Sequence, residues 1–512
     1  MILTVYICYG TMSERRVKGC DLMERKSLID RLAEYGESDY YPFHMPGHKR
    51  RTDTGLGAYF PNPFSVDITE ISGFDNLHHP EGILRDSMEW AASVYGADKT
   101  YYLINGSSCG LLSAICGTVE AGGRILISRN CHKSVYNGVF LKYLNSEYIY
   151  PQFIDNFGIT GGLSAKDVDN LLDKHPDIQA VLVVSPTYDG IVSDIKGIAQ
   201  AAHEHNVPLI VDEAHGAHFA FSEELPASAL ELGADVVVQS VHKTLPSMTQ
   251  TALLHIRSGW VDAERIEQYL HIYQSSSPSY VLMASIEQCI GWMDCEGRKL
   301  MGEYLEGLRS SRKKLKEMKH LKLLDRDMAG SCGIHDLDIT KIVISTKGTS
   351  IDGVKLDQIL RETFRLELEM CGPDYVVALT SLMDRPEGLD RLVQALLEVD
   401  KEISREDRED ILSCPEYPKV MMTIADAASL PGEPVALEGA EGRVSAEFVY
   451  LYPPGIPIVT PGEVLDQKMI AKILEYREKG LPVQGLKDEK TETVRVVPAN
   501  IVKRKIWERY FT

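Results

Sequence analysis

No two of the ten cysteines in this 512-residue chain stand in a C-x-x-C spacing. That removes the commonest zinc-ribbon and dithiol redox signatures. Several, such as Cys116 and Cys289, fall in apolar helical contexts, so reduced core thiols in a cytoplasmic protein are expected rather than a disulfide framework. No apolar run approaches the length of a membrane span. The apolar start, MILTVYICYGTM, has no basic flank and no A-x-A-like cleavage site, and is not read as a signal peptide. Met12 and Met23 are alternative starts. Positive charge is in deficit: 54 Lys and Arg face 74 Asp and Glu, a net charge of -20. A general nucleic-acid binder is usually basic, so nucleic acid is not an expected partner. No G-x-x-x-x-G-K-[ST] loop is present, so Asp212-Glu213-Ala214-His215, the letters of a helicase box, lacks the phosphate loop of a nucleotide motor. The pairs His78-His79, His203-x-His205 and His215-x-x-His218 lack the close companions of a metal site, and ordinary hydrogen-bonded histidines are expected. Internal repeats and low-complexity tracts are also missing.

What is present is a chain 44% hydrophobic, enough for a large core and about two or three domains. Residues 1–45 read as an arm with one short helix over 26–35. Residues 46–320 alternate helical stretches with short apolar runs at 101–103, 124–127, 181–184, 208–211 and 235–238. Several runs are apolar throughout, as in strands buried on both faces of a mostly parallel sheet. The class is therefore α/β, with a helical segment over about 280–318 leaving the large domain. A smaller α/β domain is expected over 321–408, with strands at 342–344 and 375–378 and helices at 354–362 and 389–403. A third domain follows over 409–512, marked by Pro and Gly clusters.

In open α/β sheets, ligands sit where strands end. Run 101–103 is followed by Asn105-Gly106-Ser107-Ser108 and a helix-like stretch. Two hydroxyls and free N–H groups there make a phosphate cup, or else a plain N-cap. After 124–127 comes His132, a loop histidine or a ring that stacks on a planar ligand. After 181–184 comes the turn Ser185-Pro186-Thr187-Tyr188-Asp189-Gly190. After 208–211 comes Asp212, costly at the end of an apolar strand unless it meets a cation. After 235–238 comes Ser240-Val241-His242-Lys243, where a lysine closes a core strand. Together these match the needs of pyridoxal 5'-phosphate. A lysine amine bonds its aldehyde, an aspartate pairs with its ring nitrogen, and a cup holds its phosphate.

These motifs resemble the bacterial ornithine/lysine/arginine decarboxylases, a family of fold-type I pyridoxal phosphate enzymes. The resemblance runs in order through Phe43-His44-Met45-Pro46-Gly47-His48-Lys49, Asn105-Gly106-Ser107-Ser108 and Asn130-Cys131-His132-Lys133-Ser134. It continues through Ser185-Pro186-Thr187-Tyr188-Asp189-Gly190, Asp212-Glu213-Ala214-His215-Gly216 and Ser240-Val241-His242-Lys243-Thr244-Leu245-Pro246. It ends at Tyr452-Pro453-Pro454-Gly455-Ile456-Pro457 and Pro461-Gly462-Glu463. It implies that Lys243 is the Schiff-base lysine and Asp212 the partner of the pyridine nitrogen. His132 and Ala214 would lie against opposite ring faces. Ser107, Ser108, Ser240 and His242 would hold the phosphate, and Thr187 would neighbour the ring hydroxyl. His215 stands where many longer members carry an aromatic. Arg50-Arg51 replace a glycine expected nearby.

The implied activity is decarboxylation of a basic amino acid, arginine ahead of lysine or ornithine, because the chain resembles the short form without the extra N-terminal domain. His132, Lys243 or another residue would return a proton to the α-carbon. A homodimer with a shared active site is expected, with Ser277 in Gln274-Ser275-Ser276-Ser277-Pro278-Ser279-Tyr280 completing the phosphate site of the neighbour. The alternative for that segment is a capped turn at Ser277 or Ser279. Rival activities are another fold-type I reaction (an aminotransferase, aldolase or lyase) or an inactive regulatory homologue, against which intact Lys243, Asp212 and His132 speak. The residue that meets the distal cation cannot be placed from the sequence.

Overall fold

The computed structural model describes residues 27–38, 61–257, 259–406, 418–486 and 493–502. The stretch 43–49, Arg50-Arg51, the alternative starts and the expected boundary at 409 lie outside these residues.

Seven strands form the central sheet: β1 (Lys99–Leu103), β2 (Arg124–Ser128), β3 (Asn145–Ile149), β4 (Ile178–Val184), β5 (Leu209–Asp212), β6 (Val236–Gln239) and β7 (Ala252–Ile256). Their order is β1-β7-β6-β5-β4-β2-β3. The pairs from β3 through β6 are parallel, and β7 runs antiparallel to both neighbours. The sheet is thus mostly parallel, as its apolar runs imply. Alternate residues enter separate cores. Leu126, Val181, Val183, Val211 and Val237 join one apolar cluster, while Ile127, Leu182, Ile210, Val236 and Val238 join the other. Of the five expected runs, β1, β2 and β4 extend theirs by two, one and three residues, and β5 and β6 each lie one residue later. β3 and β7 were not anticipated. β3 is a polar edge strand, and β7 carries His255 within five buried residues.

Helix α1 (Leu28–Glu37) is capped by Ser27. The helical segment expected over 280–318 is real but has a π turn. It comprises α2 (Tyr280–Trp292), a π segment Met293–Gly297, and α3 (Arg298–Leu315). It leads to an antiparallel sheet of β8 (Lys322–Leu323), β9 (Lys341–Ser345), β10 (Met370–Cys371) and β11 (Tyr375–Leu379), ordered β8-β9-β11-β10. Helices Gly353–Glu362 and Pro386–Glu402 accompany it. A short ladder, Ile191–Val192 with Asp336–Leu337, ties the turn after β4 to this sheet. Among the described residues no helix is long and apolar enough to cross a membrane. Among the described residues six cysteines are free, but Cys295 is disulfide-bonded, which corrects the all-thiol expectation for that residue.

The C-terminal segment docks on the large sheet through Arg129, just after β2. Its guanidinium donates to both Glu463 carboxylate oxygens, at 3.1 and 3.0 Å, and to the Pro457 and Ile458 carbonyls. Glu463 is fully buried. Removing one member leaves an unpaired buried charge, at a cost of about 3–5 kcal/mol, whereas replacing both removes the charge altogether. Arg129→Met or Glu463→Leu alone should therefore lower the melting temperature more than the two together. Calorimetry on the three variants checks this, and additive losses would show that the pair is not coupled.

Candidate active site

Asp212, Lys243 and their neighbours meet at the carboxyl ends of β5 and β6. Val236-Val237-Val238-Gln239 is a wholly buried strand. Ser240 ends it, its N–H donating to the Ala214 carbonyl at 3.3 Å, and a single helical turn, Val241–Thr244, presents Lys243. Burial lowers the pKa of the Lys243 amine, opposed by the Asp212 and Glu369 carboxylates. Asp212 is 4% exposed, and its Oδ1 accepts the Ala214 N–H at 3.1 Å. Burial raises its pKa, and Lys243 pulls it back. Glu213 points elsewhere. It accepts from Gln239 Nε2, Ser228 Oγ and the Ala229 N–H inside the core, so its carboxylate is turned away from Lys243.

His132 precedes the helix Lys133–Leu141 and caps it, Nδ1 accepting the Ser134 N–H. The proton therefore belongs on Nε2. Burial, with Lys243 and Lys133 nearby, pushes the ring down to about 4. It is a neutral, flat surface. Gly455 of the C-terminal segment lies against it: a Cβ there would sit 2.9 Å from His132 Cδ2, and its φ of +85° suits glycine. The Gly455 carbonyl also accepts the Lys133 N–H at 2.9 Å.

The phosphate-cup candidates are free for a ligand. Neither Ser107 nor Ser108 is spent on capping, since helix Gly106–Thr118 begins without a side-chain cap. Ser240 Oγ is fully buried and has no partner. His242 Nδ1 bonds the Thr251 carbonyl at 2.8 Å, which turns Nε2 outward from that bond. Thr187 Oγ1 accepts the Ile191 N–H, so it shapes the turn after β4. Ser277 lies in an exposed loop whose Ser275 N–H donates to Asn105 Oδ1 within the same chain, beside the cup. Ser279, not Ser277, caps α2.

His215 is drawn into the site by two amines. Its Nε2 lies 3.1 Å from Lys243 Nζ and its Nδ1 3.0 Å from Lys341 Nζ. Lys341 opens strand β9 and is 1% exposed. Gly190 makes room for it: a Cβ there would lie 2.9 Å from Lys341 Cγ. The Tyr188 ring meets His215 edge-on at 4.8 Å, and its hydroxyl donates to Glu369 at 2.5 Å. The sequence reasoning missed Lys341 and Glu369. Lys341 carries the same signal as Lys243, a lysine bordering an apolar strand; Glu369 carries none. Four histidines of the pairs noted in the sequence bond elsewhere: His203 to Asp235, His205 to Asp169, His218 to Asp338, and His78 to the Ser275 carbonyl. No cluster of metal-ligating side chains occurs among the described residues.

Two family models match the chain: Orn/Lys/Arg decarboxylase, major domain, over residues 26–360, and the C-terminal domain of the same family over 415–488. An arginine decarboxylase of Bacillus subtilis is 35% identical over 478 residues, 92% of this chain and 97% of its own. One from Halalkalibacterium halodurans is 34% identical, covering 93% of this chain and 98% of its own. A crystal structure of a Francisella novicida lysine decarboxylase superposes with a TM-score of 0.78 at 20% identity, over 92% of this chain and 81% of that one, which shows a shared fold.

A buried neutral His132 has a consequence for pH. The unfolded ring binds a proton near pH 6.5, and the folded ring only at about 4. The unfolded state thus holds more protons between these values, and the contribution of His132 to stability falls as the pH drops through that window. The His132 resonance should titrate near 4 by NMR, and His132→Phe should flatten part of the acid limb of stability. A midpoint near 6.5 would mean an exposed ring.

Proposed function

The chain belongs to the Orn/Lys/Arg decarboxylase family, and from that premise we propose that it decarboxylates arginine with pyridoxal phosphate bound at the β5–β6 end. It is a carboxy-lyase of fold type I by family and fold. The observation that carries the proposal is the buried Asp212 beside the strand-end Lys243, with the unpartnered Ser240 hydroxyl and the uncapped helix at Gly106 alongside.

These residues fit the cofactor. Lys243 would hold it covalently, and Asp212 would keep a proton on its pyridine nitrogen. Ser107, Ser108, Ser240 and His242 would hold its phosphate, with His132 and Ala214 against its two faces. When bound, pyridoxal phosphate supplies the sink for the electron pair left by CO2. The neutral His132 ring provides a stacking face and carries a proton on Nε2. The C-terminal segment covers His132 and helps to exclude water. Lys243 would return a proton to the substrate carbon. A homodimer in the cytoplasm is the assembly and location that family membership supports.

Glu369 is the group we assign to the distal cation of the substrate. It is exposed, its Oε1 is fixed by Tyr188, and its charge is felt by both Lys243 and Lys341. A carboxylate suits a guanidinium, which it can bind with two parallel hydrogen bonds. The arginine decarboxylases that share a third of their residues with this chain favour arginine over lysine.

Purified chain supplied with cofactor should release CO2 from arginine at least about tenfold faster, as kcat/KM, than from lysine or ornithine. Product analysis with all three decides it, and preference for lysine or ornithine would overturn the assignment. Lys243→Ala should make no product. Glu369→Gln should raise KM for arginine about tenfold or more, the loss of one charge-assisted contact, with kcat little changed. An unchanged KM would remove Glu369 from substrate binding.

A further inference from the structure

The Glu369 carboxylate takes its hydrogen bond from another domain. Tyr188 Oη donates to Glu369 Oε1 at 2.5 Å, and among the described residues no second donor and no cation engages that carboxylate directly. Glu369 stands exposed just before β10, its own N–H donating to the Val377 carbonyl at 3.0 Å. Tyr188 belongs to the turn after β4, which is tightly bonded. The Ser185 N–H donates to the Asp212 carbonyl at 3.1 Å, and the Thr187 N–H to the Ile191 carbonyl at 2.8 Å. The Ile191 N–H returns to Thr187 Oγ1 at 3.1 Å, and the Gly190 carbonyl accepts the Asp338 N–H at 2.8 Å. The half-buried Tyr188 ring meets His215 edge-on, with centroids 4.8 Å apart. His215 Nε2 lies in turn 3.1 Å from Lys243 Nζ. One side chain therefore touches both ends of the site: the imidazole beside the reactive amine and the carboxylate assigned to the distal cation.

A surface glutamate turns freely about its side-chain bonds, and the last of them, which sets the carboxylate plane, has a broad profile. The bond from Tyr188 restricts that motion. It also fixes the carboxylate relative to the turn beside Asp212 rather than to its own strand alone. Two kinds of distal cation respond differently to such a constraint. An ammonium is a compact point charge with three donors that rotate about one bond, so it meets a carboxylate in many orientations. A guanidinium is planar, and its parallel N–H pair needs both carboxylate oxygens in its own plane. A carboxylate oxygen has two lone pairs, so accepting from Tyr188 leaves Oε2 and one side of Oε1 for that fork.

We propose that Tyr188 sets the preference for a guanidinium over an ammonium, as a positioning residue that fixes the plane of the Glu369 carboxylate. This rests on the assignment of Glu369 to the distal cation and adds the group that makes its carboxylate selective. Charge alone attracts arginine and lysine alike; a fixed plane favours the planar cation.

The test compares the two substrates on the full-length holoenzyme. Tyr188→Phe removes one hydroxyl and keeps the ring against His215, so melting temperature and cofactor absorbance should stay native. Steady-state kinetics are measured with arginine, and with lysine as substrate or, where its turnover is too slow, as competitive inhibitor. Tyr188→Phe should raise KM for arginine about five- to tenfold, with kcat changed less than about twofold. The constant for lysine should shift less than about twofold, because an ammonium needs no fixed plane. In a Glu369→Gln background the same change should move KM for arginine less than about twofold, since no carboxylate remains to be aligned. An unchanged KM for arginine would overturn the proposal. An equal loss for lysine would overturn it as well, showing that Tyr188 holds the charge but not its plane. So would a full arginine loss in the Glu369→Gln background, or a fall in kcat alone, which would put Tyr188 in the chemistry. Failure of the underlying assignment looks different: Glu369→Gln by itself would then leave KM for arginine unchanged.

Discussion

Two opposite charges withdrawn from water at neighbouring strand ends govern the architecture around them. Asp212 closes β5, and Lys243 stands one short turn beyond β6, with Asp212 in register with Val238. An isolated carboxylate or ammonium in such a place costs several kcal/mol, so each must be compensated. Asp212 takes a backbone N–H from Ala214 and the field of Lys243. Lys243 takes His215, His215 takes Lys341, and Lys341 takes the field of Asp338. Asp338 is in turn held by His218 at 3.3 Å and by the Thr340 hydroxyl at 2.7 Å. The compensation runs from the large domain into the first strand residue of the small one. The site therefore cannot be assembled from the central sheet alone.

The C-terminal segment is bound into the same problem by a different route. Within a few residues after β2, Arg129 grips Glu463, His132 meets Gly455, and the Lys133 N–H reaches the Gly455 carbonyl. The Lys133 ammonium also lies over the Tyr450 and Tyr452 rings, at 4.9 and 4.7 Å. Such contacts contribute roughly 0.5–2 kcal/mol each. Docking and the presentation of the His132 ring thus share one turn. A shift of the segment would be felt first by the His132 ring.

Much of this was legible in the amino-acid order, for identifiable reasons. Buried parallel strands announce themselves as unbroken apolar runs, which located β4, β5 and β6 and with them Asp212 and Lys243. β3 escaped because it opens on three polar residues, Asn145-Ser146-Glu147, and so has no long apolar run, and β7 because its apolar residues follow closely on the lysine motif. Ser107 and Ser108 could be read equally as caps, and only the uncapped geometry separates the two. Glu369 sits in Leu366-Glu367-Leu368-Glu369, where nothing distinguishes it from an exposed charge. Long-range pairing is the common cause of the omissions. Arg129 with Glu463 and His215 with Lys341 are separated by 334 and 126 positions, beyond any local pattern.

His215 and Lys341 are best understood as one device rather than two residues. An aromatic ring gives a flat face but no lone pair, and a buried lysine behind it would have no partner on that side. Conversely, His215 without Lys341 would carry Nδ1 into a buried space with nothing to bond, at a cost of about 1–3 kcal/mol. Each residue removes the penalty of the other. The imidazole keeps a flat ring while its two nitrogens, about 3 Å from each amine, join Lys341 of the small domain to Lys243 of the large one. The cost of burying a second lysine is offset in part by the charge of Asp338, although burial still lowers the Lys341 amine to about 8.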